Sequence, residues 1–453
     1  MTDKTNGAEQ QEWGSAFGFI VSTVGYAVGL GAIWKFPYMI GSNGGGIFLL
    51  VCILFIVILA IPLCWAELTM GRYTKTSAIA GMRKLEGGNT AWVAIGWFSL
   101  ATVFILISYY ITIVSDVMFY IFKFISGGLR GMGMEEIANY YSGLQVNMPY
   151  KFVTVLIMYA ISIVILIGGV QKGLERANKI LIPGLFIFLC ILSVRNLMLP
   201  DALEGVKWMW NPDFSKLNSD VIMAALNQCI FFSGVGMATL FSFGSYLNED
   251  ADIPFYGLVC MLSNVVVGIL AGTAIFTALF SYGMDVTAGS GLVFQTMPYV
   301  FNEMSGGILW GGLFFILLFA AGLSTIIGLY EGAASVLGDA VGWNRKKSIF
   351  ISFIILFLLG IPTILSTTAW AGVTPLGMDL FTFMDFVAML ITCPIAMILI
   401  SIYAGTKFWD RFMEQSAIGA KYFKVPSFLK FWYVIVMPII IAAVVIFGIM
   451  GYF

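Results

Sequence analysis

Residues 22–38 read STVGYAVGLGAIWKFPY, with Gly25, Gly29 and Gly31 close together and Pro37 just beyond them. The stretch is apolar enough to lie in a bilayer. Yet glycine is a poor helix former, about 1 kcal/mol worse than alanine. Three glycines in two turns therefore favour an unwound backbone. Inside a membrane, unwound backbone survives only where protein or a water-filled cavity surrounds it. Residues 229–244, CIFFSGVGMATLFSFG, repeat the pattern with Ser233, Gly234 and Gly236. Taken singly, either stretch could be a close helix crossing, since glycine lets backbones approach.

Reading outward from these stretches, the chain is apolar almost throughout. It has 453 residues, 60% of them hydrophobic and only 10% charged, and a mean hydropathy of +0.95. A soluble domain carries about 25% charged residues, so lipid must be the solvent for most of this surface. The net charge of −1 gives no basic excess to suit nucleic acid. Histidine is absent, which removes the commonest metal ligand and general base. The six cysteines, Cys52, Cys64, Cys190, Cys229, Cys260 and Cys393, lie in apolar runs without a CxxC pair and read as small core residues. The opening MTDKTNGAEQQEWGS is polar and lacks the apolar core of a cleavable signal.

A crossing helix needs about 20 apolar residues. Eleven stretches qualify: 14–38, 46–71, 91–125, 150–169, 177–198, 219–247, 254–282, 307–338, 347–367, 379–405 and 429–451. Their continuity excludes a β-barrel, whose strands alternate. Most of the 23 Lys and Arg residues fall on one side of this arrangement. They include Lys4, Arg72, Lys75, Arg83, Lys84, Lys172, Arg176, Lys179, Arg345, Lys346, Lys347, Lys407 and Arg411. Positive loops stay in the cytoplasm, so the N-terminus is expected inside and the C-terminus outside.

The two glycine-rich stretches lie in spans 1 and 6, corresponding positions of two five-helix halves. Interrupted helices so placed point to a transport site built on inverted repeats. No identity between the halves is visible; the repeat is inferred from placement alone. The expected organisation is a cytoplasmic segment 1–13, a first repeat 14–198, an extracellular loop 199–218, a second repeat 219–405, and a cytoplasmic loop with the last span, 406–453. Carbonyls at such breaks can coordinate Na⁺, a hard cation, and the N–H groups can hold a carboxylate.

AVGLGAIWKFPYMIGSNGGGIF (27–48) resembles the first-helix signature of the neurotransmitter:sodium symporter family, whose members have the leucine-transporter fold. PLCWAELTMGRYT (62–74), SYYI (108–111), QKGLERANKILIPGLF (171–186), SYLNEDADI (245–253), FAAGLSTIIGLYEG (319–332) and MDF (384–386) resemble its later motifs in order. The resemblance spans about residues 13–405 and implies an all-α membrane protein of eleven helices, with helices 1 and 6 broken.

The resemblance implies a sodium site between helices 1 and 8, formed by the carbonyls of Gly25, Val28 and Ala321 and the hydroxyls of Ser324 and Thr325. A second sodium site would draw on Ala27, Ser233 and Asn264. It is expected to be weak or absent, because Ala32 stands where relatives supply an Asn, and Phe232 stands where they supply a hydroxyl. For the substrate, the N–H groups near Leu30 and Gly31 and the hydroxyl of Tyr110 would take a carboxylate. Carbonyls of Ala27 and of Phe231 or Phe232, beside Ser233, would take an ammonium. Gly29 replaces the Asp of monoamine carriers, so the substrate should bring its own carboxylate. Leu106, Phe231, Gly234, Met237, Thr325 and Leu329 would surround its side chain.

Lys35 and Asp385 correspond to an external charged gate. Asp339 and Tyr246 correspond to a cytoplasmic one, although Gln10 stands in place of the usual arginine and Lys4 is the nearest cation. Gly173 and Pro183 correspond to a helix 5 hinge. Glu67 and Glu331 match acids that bond internally. Cys52 and Gly268 stand where relatives hold chloride, so chloride coupling is not expected. The implied function is import of a neutral hydrophobic or aromatic amino acid across the cell membrane, driven by Na⁺ and without an organic cofactor. The rivals are a sodium-independent exchanger of the same fold, a channel and a membrane enzyme.

Overall fold

The computed structural model describes residues 12–286 and 291–451, and within these the chain is helical with no β-strand. Ten helical segments are long and apolar enough to cross a bilayer. They are α1 (Ala16–Ser42), α2 (Gly46–Thr74), α3 (Ala91–Ile125), α4 (Met148–Ile167), α5 (Val170–Leu197), α7 (Ile253–Ser281), α8 (Gly307–Val341), α9 (Arg345–Leu365), α10 (Leu380–Gly405) and α11 (Leu429–Met450). Between α5 and α7 lies α6, in two pieces, Ser219–Ser233 and Thr239–Ser245. Neither piece alone has the length of a span, and the stretch expected to cross over 219–247 is interrupted between them. The expected start of span 5 at residue 177 moves back to Val170, because Val170–Glu175 continues the helix as a π-turn.

Helix starts follow local chemistry. Ser15, Asn147, Asn218, Asp252 and Asn344 each accept a backbone N–H from the first turn of α1, α4, α6, α7 and α9. These are the short polar side chains that cap orphan donors.

α3 and α8 have 35 residues each and so run about 50 Å, well beyond the ~30 Å hydrocarbon core. They pack against each other, α8 also packs on α1, α5 and α6, and α1 reaches α7. Small residues allow this. A Cβ on Gly322 would come within 2.8 Å of Val114, and one on Gly328 within 2.9 Å of Tyr26. Without bulk there, α8 lies backbone-close to α3 and α1. The buried fraction is high in α1 and α8 and lowest in α11. Apolar side chains such as Val164, Ile180, Val194 and Ile439 remain exposed on α4, α5 and α11, the outer wall that lipid would cover.

Candidate functional site

Both glycine-rich stretches break. In α1 the helix ends at Leu30, Gly29 is non-helical (φ −2°, ψ −159°), and a π-turn follows over Gly31–Lys35. In α6 the first piece ends at Ser233. Gly234 (φ +65°), Gly236 (φ +79°) and Ala238 (φ +57°) are left-handed before the helix resumes at Thr239. Glycine takes such conformations without steric penalty.

The freed backbone groups at the breaks are bound across helices. Tyr26 donates its hydroxyl to the carbonyl of Gly234 at 2.6 Å, and Gln228 donates to the carbonyl of Gly31 at 3.2 Å. The N–H of Gly236 donates to Glu67 Oε1 at 2.5 Å, and that of Leu30 to the Tyr110 hydroxyl at 2.7 Å. The N–H of Gly31 bonds back to Val28 and Gly29. Neither Tyr26 nor Gln228 has a site role in the sequence reading. Each is unremarkable in its own motif, and only the folded chain brings it to the other break.

A small cavity lies between the breaks, lined by Ala27, Gly29, Gly31, Leu106, Tyr110, Phe231, Gly234, Met237, Thr325 and Leu329, with Tyr26 beside them. It holds about 20 Å³, room for roughly one water molecule. Gly29 is decisive for its shape: a Cβ there would meet Thr325 and lie 2.6 Å from the Tyr110 hydroxyl. A Cβ on Gly31 would lie 2.5 Å from the Phe231 ring. Phe232 and Ser233 do not line this cavity. The Phe232 carbonyl accepts from Asn264 at 3.1 Å, and its ring packs on Phe36 with centroids 5.0 Å apart.

Beside the cavity, α1 and α8 bring a set of neutral oxygens together. Thr325 donates its hydroxyl to the carbonyl of Gly25 at 3.2 Å. Ser324 is fully buried, and a Cβ on Gly25 would meet its hydroxyl oxygen. Val28 and Ala321 are buried alongside. Hydroxyls and carbonyls without a carboxylate suit a dehydrated monovalent cation, which needs no buried counter-charge. Ser324 also donates to Asn178 of α5 at 2.6 Å, a contact absent from the sequence reading.

The residues expected for a second sodium site are placed differently. Ser233 turns its hydroxyl onto its own helix, donating to Ile230 at 3.1 Å. Gly268 meets aromatic rings, with a Cβ there 2.6 Å from Phe36 and 3.1 Å from Phe232. Of the oxygens nearby, Asn264 Oδ1 is buried without a protein partner.

On the expected external side, the Lys35 ammonium lies 4.5 Å from the centroid of the Phe231 ring, a cation–π distance. Tyr110 and Phe231 have centroids 6.5 Å apart. Asp385 accepts the Tyr109 hydroxyl at 2.6 Å, so the α10 acid reaches α3.

At the opposite end Asp339 caps a short helix, accepting the Ser77 N–H at 2.8 Å. Lys4 and Gln10 lie outside the described residues. The strong ion pair here is Arg345 with the fully buried Glu331, bidentate at 2.8 and 2.6 Å, and Tyr246 bonds the same carboxylate at 2.9 Å. The start of the described chain is tied down as well. Trp13 donates through its indole to Phe243 at 3.0 Å and through its backbone to Tyr246 at 3.2 Å. Glu175, in the π-turn two residues after Gly173, accepts the Gly14 N–H at 2.8 Å and the Ser15 hydroxyl at 3.1 Å.

Comparison with known proteins places the family and the fold. Residues 10–131 and 137–453 match the sodium:neurotransmitter symporter family. An uncharacterized sodium-dependent transporter of Bacillus subtilis is 32% identical over 445 residues, covering 97% of this chain and 98% of its own. One from Haemophilus influenzae is 32% identical over 455 residues, covering 98% and 99%. The crystal structure of MhsT in complex with L-phenylalanine superposes with a TM-score of 0.89 at 32% identity, over 98% of this chain and 100% of that one. The fold is therefore that of the leucine transporter, and the family is one of transporters rather than enzymes. With matching sequence over nearly its whole length, this polytopic membrane chain belongs to the sodium:neurotransmitter symporter family.

Proposed function

We propose that the protein is a sodium-coupled symporter that imports a neutral hydrophobic or aromatic amino acid by alternating access. The observation that carries this reading is the Thr325 hydroxyl 3.2 Å from the Gly25 carbonyl, with buried Ser324 beside it. Na⁺ held by these oxygens bridges α1 and α8 and favours the outward-facing form. The amino acid carboxylate takes the Leu30 and Gly31 N–H groups from their present partners, the Tyr110 hydroxyl and the Val28 and Gly29 carbonyls, and accepts the Tyr110 hydroxyl proton. Its side chain enters between Leu106, Phe231, Met237 and Leu329, which must draw apart, since the cavity holds only about 20 Å³. MhsT, of the same fold, was crystallised with L-phenylalanine, which supports a guest of this class.

Closure brings Phe231, Tyr110, Lys35 and Asp385 over the guest. Opening on the other side frees the Trp13–Ser15 segment and the α5 segment between Gly173 and Pro183, and releases Na⁺. One Na⁺ per cycle is the expected coupling, since the side chains of Ala32 and Phe232 bring no oxygen. Chloride has no polar cradle at Gly268, where aromatic rings close in. The protein resides in the cell membrane with its N-terminus cytoplasmic.

The test is uptake of labelled amino acids into liposomes, with an inward Na⁺ gradient or with K⁺ in its place. Na⁺-dependent uptake that collapses in Ser324→Ala/Thr325→Val supports the symporter. Equal uptake in K⁺ identifies a sodium-independent exchanger instead.

A further inference from the structure

Asn178 lies in α5 between Gly173 and Pro183, fully buried. Its Oδ1 accepts the hydroxyl proton of Ser324 at 2.6 Å. Helical serines and threonines ordinarily turn their hydroxyls onto a carbonyl one turn back. Ser162 does so onto Met158, and Thr277 onto Thr273. Ser324 reaches across to another helix instead.

The chemistry of that choice is specific. A serine hydroxyl has one proton and two lone pairs. With its proton held by Asn178, both lone pairs are free for a cation, and the proton points away from positive charge. Asn178 is also costly to keep, because its Nδ2 is buried without a protein partner, and an unsatisfied buried donor destabilises the fold. Packing alone would be better served by an apolar residue. One turn further along, Ile182 lies against Gly25, where a Cβ would come 2.9 Å from it. The face of α5 that holds Asn178 is thus seated on both partners of the cation site.

That face is also a weak part of its helix. It follows the π-turn Val170–Glu175 and precedes Pro183, which lacks the N–H that would bond Lys179.

We propose that Asn178 is the positioning residue through which α5 senses the bound cation, fixing the Ser324 hydroxyl for Na⁺ when α5 is wound and releasing it when the 173–183 segment unwinds. The inference rests on the symporter reading above, including its α5 opening step, and adds to it the residue through which α5 meets a ligand of the ion. Na⁺ polarises the Ser324 hydroxyl and strengthens its bond to Asn178, which holds α5 wound. By reciprocity, unwinding weakens Na⁺ binding by the same factor. Asn178 need not touch the ion.

The test uses the purified full chain in nanodiscs, with Na⁺ binding measured directly and amide exchange followed over residues 170–183 in Na⁺ and in K⁺. In the wild type, Na⁺ should slow exchange in this segment. Asn178→Leu, similar in size but without an acceptor, should weaken Na⁺ binding about tenfold and erase the Na⁺-dependent protection. Asn178→Thr, whose hydroxyl can still accept and adds no charge, should lose less affinity than Asn178→Leu. Ser324→Ala should lose as much as Ser324→Ala/Asn178→Leu, because the two act as a unit.

Wild-type affinity and protection in Asn178→Leu would overturn the proposal while leaving Na⁺-dependent uptake intact. Should that variant not assemble, wild-type exchange equal in Na⁺ and K⁺ overturns it independently. If wild-type uptake is also equal in K⁺, the symporter reading falls as well.

Discussion

The Thr325 hydroxyl donates to the carbonyl of Gly25 at 3.2 Å, four residues before α1 loses its helical conformation at Gly29. A bond between α8 and α1 at that place joins two helices through oxygens a cation would share. Thr325→Val removes the hydroxyl and keeps the shape. Apparent Na⁺ affinity is expected to fall about tenfold or more, in line with a bond to a charged partner of about 1.5–3 kcal/mol. Thr325→Ser should keep most of it. Na⁺ titration of substrate uptake decides; equal affinity in Val and Ser variants would remove Thr325 from the site.

Gly29 has no room for a side chain, since a Cβ would lie 2.6 Å from the Tyr110 hydroxyl and against Thr325. Overpacking costs about 1–3 kcal/mol. Gly29→Ala is therefore expected to lower thermal stability in detergent by about that amount and to weaken substrate binding roughly 10- to 100-fold. Substrate binding and melting measured on one preparation would separate the two effects.

Phe232, where relatives supply a hydroxyl, packs its ring on Phe36, and Asn264 Oδ1 is one of several buried acceptors without a protein partner. Wild-type uptake should show a Hill coefficient for Na⁺ near 1. Ala32→Asn/Phe232→Thr supplies two oxygens and should raise it toward 2, at a stability cost of a few kcal/mol for the lost ring. A wild-type value near 2, with a matching flux ratio, would refute single-ion coupling.

Glu331 is fully buried and held bidentate by Arg345 at 2.8 and 2.6 Å. Removing the cation strands a buried carboxylate, a loss of about 3–5 kcal/mol. Arg345→Met should melt many degrees lower. Arg345→Met/Glu331→Gln should recover much of the difference. Thermal unfolding of the three proteins is the check, and equal melting of both variants would contradict it.

Glu175 accepts the Gly14 N–H and the Ser15 hydroxyl, so it ties the entry of α1 to the π-turn of α5. Glu175→Ala should speed amide exchange over residues 13–19 about tenfold and lower apparent Na⁺ affinity by favouring the inward-facing form. Unchanged exchange there would show that Trp13, through Phe243 and Tyr246, holds the segment unaided.

Membrane spans are legible in a sequence because hydrocarbon demands about 20 apolar residues in a row, and the breaks are legible because glycine is costly in a helix unless its freedom is used. Those two constraints placed the helices and the unwound points near Gly29 and Gly234, while the hydroxyls of Ser324 and Thr325 on α8 were marked only by the family resemblance. Pairings between distant helices carry no such local signature. Asn178 reads as one polar residue in a basic stretch, and Tyr26 as one aromatic among many, until folding sets them against Ser324 and Gly234. Likewise Asp339 and Glu331 are both acids near the end of α8. Which one takes a guanidinium and which caps a short helix depended on where Arg345 and Ser77 came to lie. Composition and spacing determined what could cross the membrane; the packing of α1, α5, α6 and α8 decided which polar atoms met, because a hydrogen bond depends on separation in space and not along the chain.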